Sequence, residues 1–204
     1  MTNDYKIIIE QEHQTVMAHY EVEQRPSEGY QSEAQLENAL IDQLMAQGYV
    51  YVLVKNEEGL LRNLREQLEG LNNIRLSDSE WARLLPMISN EQMGIKEKTE
   101  MLQGKGYILN LTLDNGETKN IKLIDKTNVY NNRLQVINQY EEEKGAHKNR
   151  YDVTILVNGL PMVHIELKRR GVPIKEAFNQ INRYLRDSFW AGRAMFDFIQ
   201  IFVI

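Results

Sequence analysis

Two runs, Tyr151-Asp-Val-Thr-Ile-Leu-Val157 and Leu160-Pro-Met-Val-His-Ile-Glu-Leu-Lys168, flank the dipeptide Asn158-Gly159. Asn-Gly between two β-type runs signals a hairpin. Both runs are apolar at nearly every position, as in strands covered on both faces. A chain built around such a hairpin must supply packing layers on either side of it. At 204 residues, 42% apolar and 26% charged, the chain is long enough to do so within one domain.

The second run ends in His164, Glu166 and Lys168, three polar groups at spacing two. That spacing puts them on one face of a strand, with Val163, Ile165 and Leu167 on the other. Charges inside a sheet are costly unless paired or holding an ion. A plain Glu166–Lys168 pair at a strand end would satisfy this. Asp152 on the neighbouring run adds a third charged group and a second possibility. A two-residue turn pairs Val157 with Leu160, and an uninterrupted ladder then sets Asp152 against Ile165. The two carboxylates would face opposite sides, and so would the triplets Val153/Ile155/Val157 and Val163/Ile165/Leu167. A loop with an odd residue count, or one bulge, repairs both faults. The expectation is therefore an odd loop with Gly159 at positive φ, or a bulge in one strand. Two carboxylates and a lysine on one sheet face suit a hard cation such as Mg²⁺ acting on a phosphate ester.

Elsewhere the pattern is coarser. Tyr5-Lys-Ile-Ile-Ile is a short β-like run within polar residues 1–31. Ser32 with Gln35 fits a capping box, Leu36, Ala39, Leu40 and Leu44 continue the helical period, and Gly48 stops it. Tyr49–Val54 reads as a strand and residues 59–70 as a helix. A further helix begins near Asp78, with Trp81, Leu84 and Leu85 on one face and Pro86 disturbing it. Residues 89–106 read as an exposed polar excursion. Tyr107–Leu113 and Thr118–Ile124 form a second hairpin, and Leu134–Gln139 a weaker strand. Pro173 is placed to open a helix with Ile174, Phe178, Ile181 and Leu185 on its core stripe and Gln180 and Tyr184 beside it. Gln180 and Tyr184 are either an edge-of-core pair or a pair reaching over the sheet end. Glu37 borders the apolar face of the first helix, as a surface ion pair or as part of the acidic cluster.

Composition narrows the function. There is no Cys, which excludes disulfides, thiolate chemistry and Cys-based zinc sites. No run is long and apolar enough for a membrane helix and no signal pattern follows Met1, so a cytoplasmic location and no membrane partner are expected. The net charge of -5 excludes a uniformly basic nucleic-acid binder. Residues 150–204 nevertheless carry eight Lys/Arg against five Asp/Glu, so a polyanion can be met locally.

Asp152, Glu166-x-Lys168 and the trailing Gln180-x-x-x-Tyr184 resemble the PD-(D/E)xK nuclease superfamily, with Tyr151 where its name has Pro. Residues 149–171, 176–184, 187–192 and 198–204 are similar to the restriction (R) subunit of type I restriction-modification enzymes; around Ser32–Val54 the similarity is weaker. The resemblance implies an α/β fold with a central mixed β-sheet flanked by helices, the restriction-endonuclease-like fold, as a single nuclease domain over 1–204. It implies Asp152, Glu166 and the Leu167 carbonyl as Mg²⁺ ligands and Lys168 as the catalytic lysine. Gln180, Tyr184 and Glu37 would be accessory or DNA-binding residues. The implied reaction is phosphodiester hydrolysis of double-stranded DNA, with modification and specificity subunits as partners and an ATP-driven motor in the full-length subunit. No G-x-x-x-x-G-K-[ST] is present and Gly104-Lys-Gly106 does not replace it. Together with an end inside an apolar strand at Ile204, this leads us to expect a fragment lacking its motor. The alternatives are a repair or structured-DNA nuclease of the same superfamily and a docking module without catalysis.

Overall fold

The computed structural model describes residues 5–11, 15–20, 32–90, 92–142, 149–169, 173–184 and 195–204. Strands β1 (Tyr5–Gln11) and β2 (Thr15–Tyr20) pair antiparallel as a ribbon of their own. Helix α1 (Glu33–Ala46) starts where its sequence says it should. The Ser32 hydroxyl accepts from the Gln35 amide at 3.2 Å, and the Gln35 side chain accepts from the Ser32 amide at 2.9 Å. Gly48, at φ +95°, ends it.

The central sheet has the order β3-β6-β7-β8-β9. Its members are β3 (Val50–Tyr51), β6 (Leu134–Glu142), β7 (Asn149–Val157), β8 (Leu160–Ile165) and β9 (Ile201–Val203). The two outer pairs are parallel and the two inner pairs antiparallel, so the sheet is mixed. The strand expected over 49–54 shrinks to Val50–Tyr51, and Asn56 then caps helix α2 (Glu57–Asn72), its side chain accepting from the Gly59 amide. The run expected to be the weaker strand, 134–139, is instead an inner strand that continues to Glu142.

Helix α1 covers one face of this sheet. Ile41 and Leu44 pack on Val136, Val153 and Ile165, with Ile155, Val163 and Leu167 around them. The other face carries the larger core. Helix α2 brings Leu60, Leu64 and Leu68, and α3 (Asp78–Ile88) brings Leu84 and Ile88. The hairpin β4 (Ile108–Thr112) and β5 (Thr118–Lys122) adds Leu111 and Ile121. Each fully buried Leu removes apolar area worth about 1.5–3 kcal/mol from water. Pro86 does not end α3, which runs two residues further on the strength of the buried Ile88; the carbonyl that Pro86 cannot serve belongs to the exposed Ala82.

Residues 89–106 correct the expectation of an exposed excursion. They contain α4 (Ile95–Gln103), which buries Leu102 and, unexpectedly, Lys98. The Lys98 ammonium lies 3.1 Å from Asp197 in a 3₁₀ turn, Met195–Phe198, with both side chains fully buried. Helix α5 (Ile174–Tyr184) follows Pro173 and buries Ile181. Leu185 of the expected stripe and residues 187–192 lie outside the described residues. Among the described residues no helix is long and apolar enough to cross a membrane.

Candidate active site

The hairpin β7–β8 decides what meets what. Asn158 and Gly159 lie at φ +51° and +83°, the signature of a type I′ two-residue turn, and Val157 pairs with Leu160. A Cβ on Gly159 would sit 2.6 Å from the Leu64 Cα, so the turn is pressed against α2. The register then shifts. Leu156 faces Pro161 but Ile155 faces Val163, leaving Met162 as an extra residue in β8. The Met162 carbonyl accepts instead from the Gln200 amide at 2.9 Å. Below this bulge Thr154 faces His164 and Val153 faces Ile165, so the next positions opposite one another are Asp152 and Glu166. One bulge thus puts Val153, Ile155, Val163, Ile165 and Leu167 against α1 and brings the two carboxylates to the same level. The turn keeps two residues, and the bulge supplies the odd count.

The charged groups converge at the end of β8. Asp152 Oδ2 accepts from the Leu167 amide at 2.9 Å. Glu166 is fully buried; its Oε1 accepts from Lys168 Nζ at 2.6 Å. Its Oε2 makes no hydrogen bond among the described residues and lies 3.4 Å from the ring of His164. His164 packs edge-on against Tyr151 and Phe202. The Glu166 amide donates to the Val203 carbonyl, which ties the strand end to β9.

Burial, and then the neighbouring charge of Glu166, push the Asp152 carboxyl up to about 6, against the pull of the Leu167 amide and Lys168. Burial also works to raise Glu166, but the contacts with His164 and Lys168 outweigh it and hold its carboxyl below the usual range. Burial likewise opposes the charge on Lys168, and its bond to Glu166 wins, holding the ammonium above its ordinary value. Its bond to Glu166 thus favours the charged form of Lys168.

Glu37, on α1, is buried and is no surface ion pair. Its carboxylate accepts from the side-chain amides of Asn138 and Gln139 in β6, and its charge adds to the potential that raises Asp152. Asn138 is fixed in turn by Lys55 Nζ, which donates to its backbone oxygen at 2.8 Å and to its side chain at 3.1 Å, and by the Tyr51 hydroxyl at 2.9 Å. Asn138, Gln139 and Lys55 were not singled out from the sequence. The signal available was a pair of adjacent amides at the end of an otherwise apolar run. Gln180 is half-buried on α5; the Tyr184 side chain lies outside the described residues.

Residues 30–204 match the family described as the N terminus of the type I restriction enzyme R protein. The chain belongs to this family. It is 43% identical over 206 residues to the type I restriction enzyme EcoprrI endonuclease subunit of Escherichia coli, covering 100% of this chain and 65% of that protein. It is 41% identical over 180 residues to the type I restriction enzyme SsaAORF53P endonuclease subunit of Staphylococcus saprophyticus, covering 86% of this chain but 18% of the relative. A putative type I restriction enzyme MjaVIIIP endonuclease subunit of Methanocaldococcus jannaschii is 32% identical over 108 residues. The helix-flanked mixed sheet agrees with the restriction-endonuclease-like fold expected of an R protein N terminus.

The site's donors are compatible with a divalent cation. Among the described residues no three His, Asp or Glu side chains form a metal-binding group. Two carboxylates at one level of adjacent strands remain, Glu166 with its Oε2 facing His164 at 3.4 Å and Asp152 destabilised by burial and its neighbour's charge. A hard cation bound through one or two carboxylates, with backbone, water and phosphate oxygens completing its shell, would offset the repulsion between them.

Proposed function

We propose that this chain is the nuclease region of a type I restriction-modification enzyme and hydrolyses phosphodiester bonds of double-stranded DNA with Mg²⁺. The observation that carries the reading is the bulge-aligned pair Asp152 and Glu166 with Lys168 bonded to one of them, in a chain of the R protein family. Asp152, Glu166 and the Leu167 carbonyl would hold the ion. When bound, Mg²⁺ supplies Lewis-acid polarisation of the phosphate and a bound water of lowered pKa. Lys168, kept protonated by Glu166, places a point charge where negative charge develops on the phosphate, or donates to the attacking water. The Leu167 amide orients the Asp152 carboxylate. Gln180 and Tyr184 on α5 would position the site or the DNA backbone.

In the assembled enzyme this cytoplasmic chemistry would follow translocation by an ATP-driven motor outside the chain. Modification and specificity subunits would choose the target. Two measurements test the reading. Mg²⁺ titrated into the chain by calorimetry should bind, and Asp152→Ala should abolish that binding; equal binding by both would favour a docking module. In the assembled enzyme Lys168→Ala should abolish DNA cleavage and leave ATP hydrolysis intact, and cleavage retained by that variant would refute the site.

A further inference from the structure

The described backbone holds three non-glycine residues at positive φ: Asn73, Gln139 and Asn158. Asn73 caps α2 and Asn158 forms the hairpin turn, both uses that suit asparagine. Gln139, at φ +52°, is different. It lies inside the inner strand β6, and Gln is not a residue type that favours this region. The β6–β7 ladder pairs Asn138 with Val153 and Tyr140 with Tyr151, and the position skipped between them is Gln139 against Asp152. A strained backbone that persists inside a sheet is maintained by its surroundings and clusters at functional sites.

The strain has a local product. In a regular strand adjacent side chains point to opposite faces. Here Asn138 and Gln139 both reach the same carboxylate, Glu37. The next residue, Tyr140, joins the opposite core, stacking with Tyr151 at 5.9 Å and packing on Phe196 at 4.6 Å. Tyr151 precedes Asp152. The left-handed residue therefore fixes both Glu37 on one side and the aromatic support of Asp152 on the other.

We propose that Gln139 is a positioning residue of the carboxylate site, its left-handed backbone and side-chain amide holding Glu37 against the Asp152 end of the sheet. The inference rests on the metal-dependent reading above and adds a residue to it. Neutral amides suit this task because they fix the carboxylate without cancelling its charge. Gln139 acts through Glu37 and touches no reacting group.

The test is Mg²⁺ titration of the chain, wild type and variants, by calorimetry, with thermal unfolding beside it. Gln139→Gly accepts the positive φ but loses the amide, so its Tm should stay within a few degrees of wild type while Mg²⁺ affinity falls about 10-fold, the lower end of the loss seen for groups behind the ligands. Glu37→Gln should lose a similar factor, and the double variant should lose no more than either single one. Wild-type affinity in Gln139→Gly, or losses that multiply to about 100-fold in the double variant, would overturn the proposal while leaving the metal site standing. Asp152→Ala separates the two failures: if that variant binds Mg²⁺ normally, both the site and the role of Gln139 fall. Should Gln139→Gly fail to fold, Gln139→Glu decides. It keeps the length and sets a like charge against Glu37, so an affinity loss supports the role and wild-type binding removes it.

Discussion

Asp152 carries a cost at neutral pH that its neighbours impose. Its carboxyl titrates at about 6 against an ordinary 3.8, so the native chain holds this proton more tightly than the unfolded chain does. The associated penalty is absent below the unfolded value, grows as pH rises between the two, and is complete above about 6. One pKa unit corresponds to about 1.36 kcal/mol, and discounting for partial exposure leaves about 1–2 kcal/mol. Asp152→Asn keeps an acceptor for the Leu167 amide and removes the charge. We expect it to raise the Tm of the metal-free chain by roughly 3–6 °C at pH 7.5, with the gain vanishing near pH 3. Thermal scans at the two pH values check this, and a gain that persists at low pH would contradict it. For the proposed metal site, a carboxylate that costs stability without the ion is the usual trade between function and stability.

At the scale of elements, the buried pair between α4 and the 3₁₀ turn is the feature most open to test. Removing one partner of a fully buried ion pair costs about 3–5 kcal/mol. Lys98→Ala should therefore lower the Tm by roughly 10 °C, and Lys98→Met with Asp197→Asn should recover most of it, as read by thermal unfolding. This pair also marks where the sequence stopped being readable. Lys98 and Leu102 share one face of α4, but a lysine at a core position reads as solvated unless its partner is known, and that partner is Asp197, far along the chain. Gln139 was hidden for a related reason, since nothing local announces a left-handed strand residue. The need for one odd residue in the hairpin was legible because two independent demands, burying the apolar triplets together and aligning the carboxylates, required the same odd count; that a bulge at Met162 supplies it, with the turn kept at two residues, was not. The cap at Ser32 was legible because it is satisfied within four residues. Interactions closed locally, or demanded twice, could be read; those closed once and far away could not.

For the molecule as a whole, acid and base limits come from different carboxylates. Side-chain bonds from Ser77, Arg83 and Ser79 hold Asp114 down to about 2, and the Asn128 amide and Asn131 side chain do the same for Asp125. Their stabilising effect is present above the ordinary carboxylate value and is lost as pH falls toward 2. Asp152 works in the other direction. The metal-free chain should be most stable near pH 4 to 5 and lose stability as pH rises toward 6, and added Mg²⁺ should offset that loss, which unfolding midpoints across pH will show. The chain spans 65% of the Escherichia coli relative and 18% of the staphylococcal one, and the sheet framework that carries Asp152 and Glu166 lies within that span.

That framework has an order of assembly. The strand carrying Glu166 is flanked on its outer side by Ile201–Val203, and the Glu166 amide bonds to the Val203 carbonyl. During synthesis the hairpin leaves the ribosome well before that outer neighbour does. A chain ending short of Ile201 would leave β8, with Glu166 at its end, as an open sheet edge, while β7 with Asp152 would still be paired on both sides.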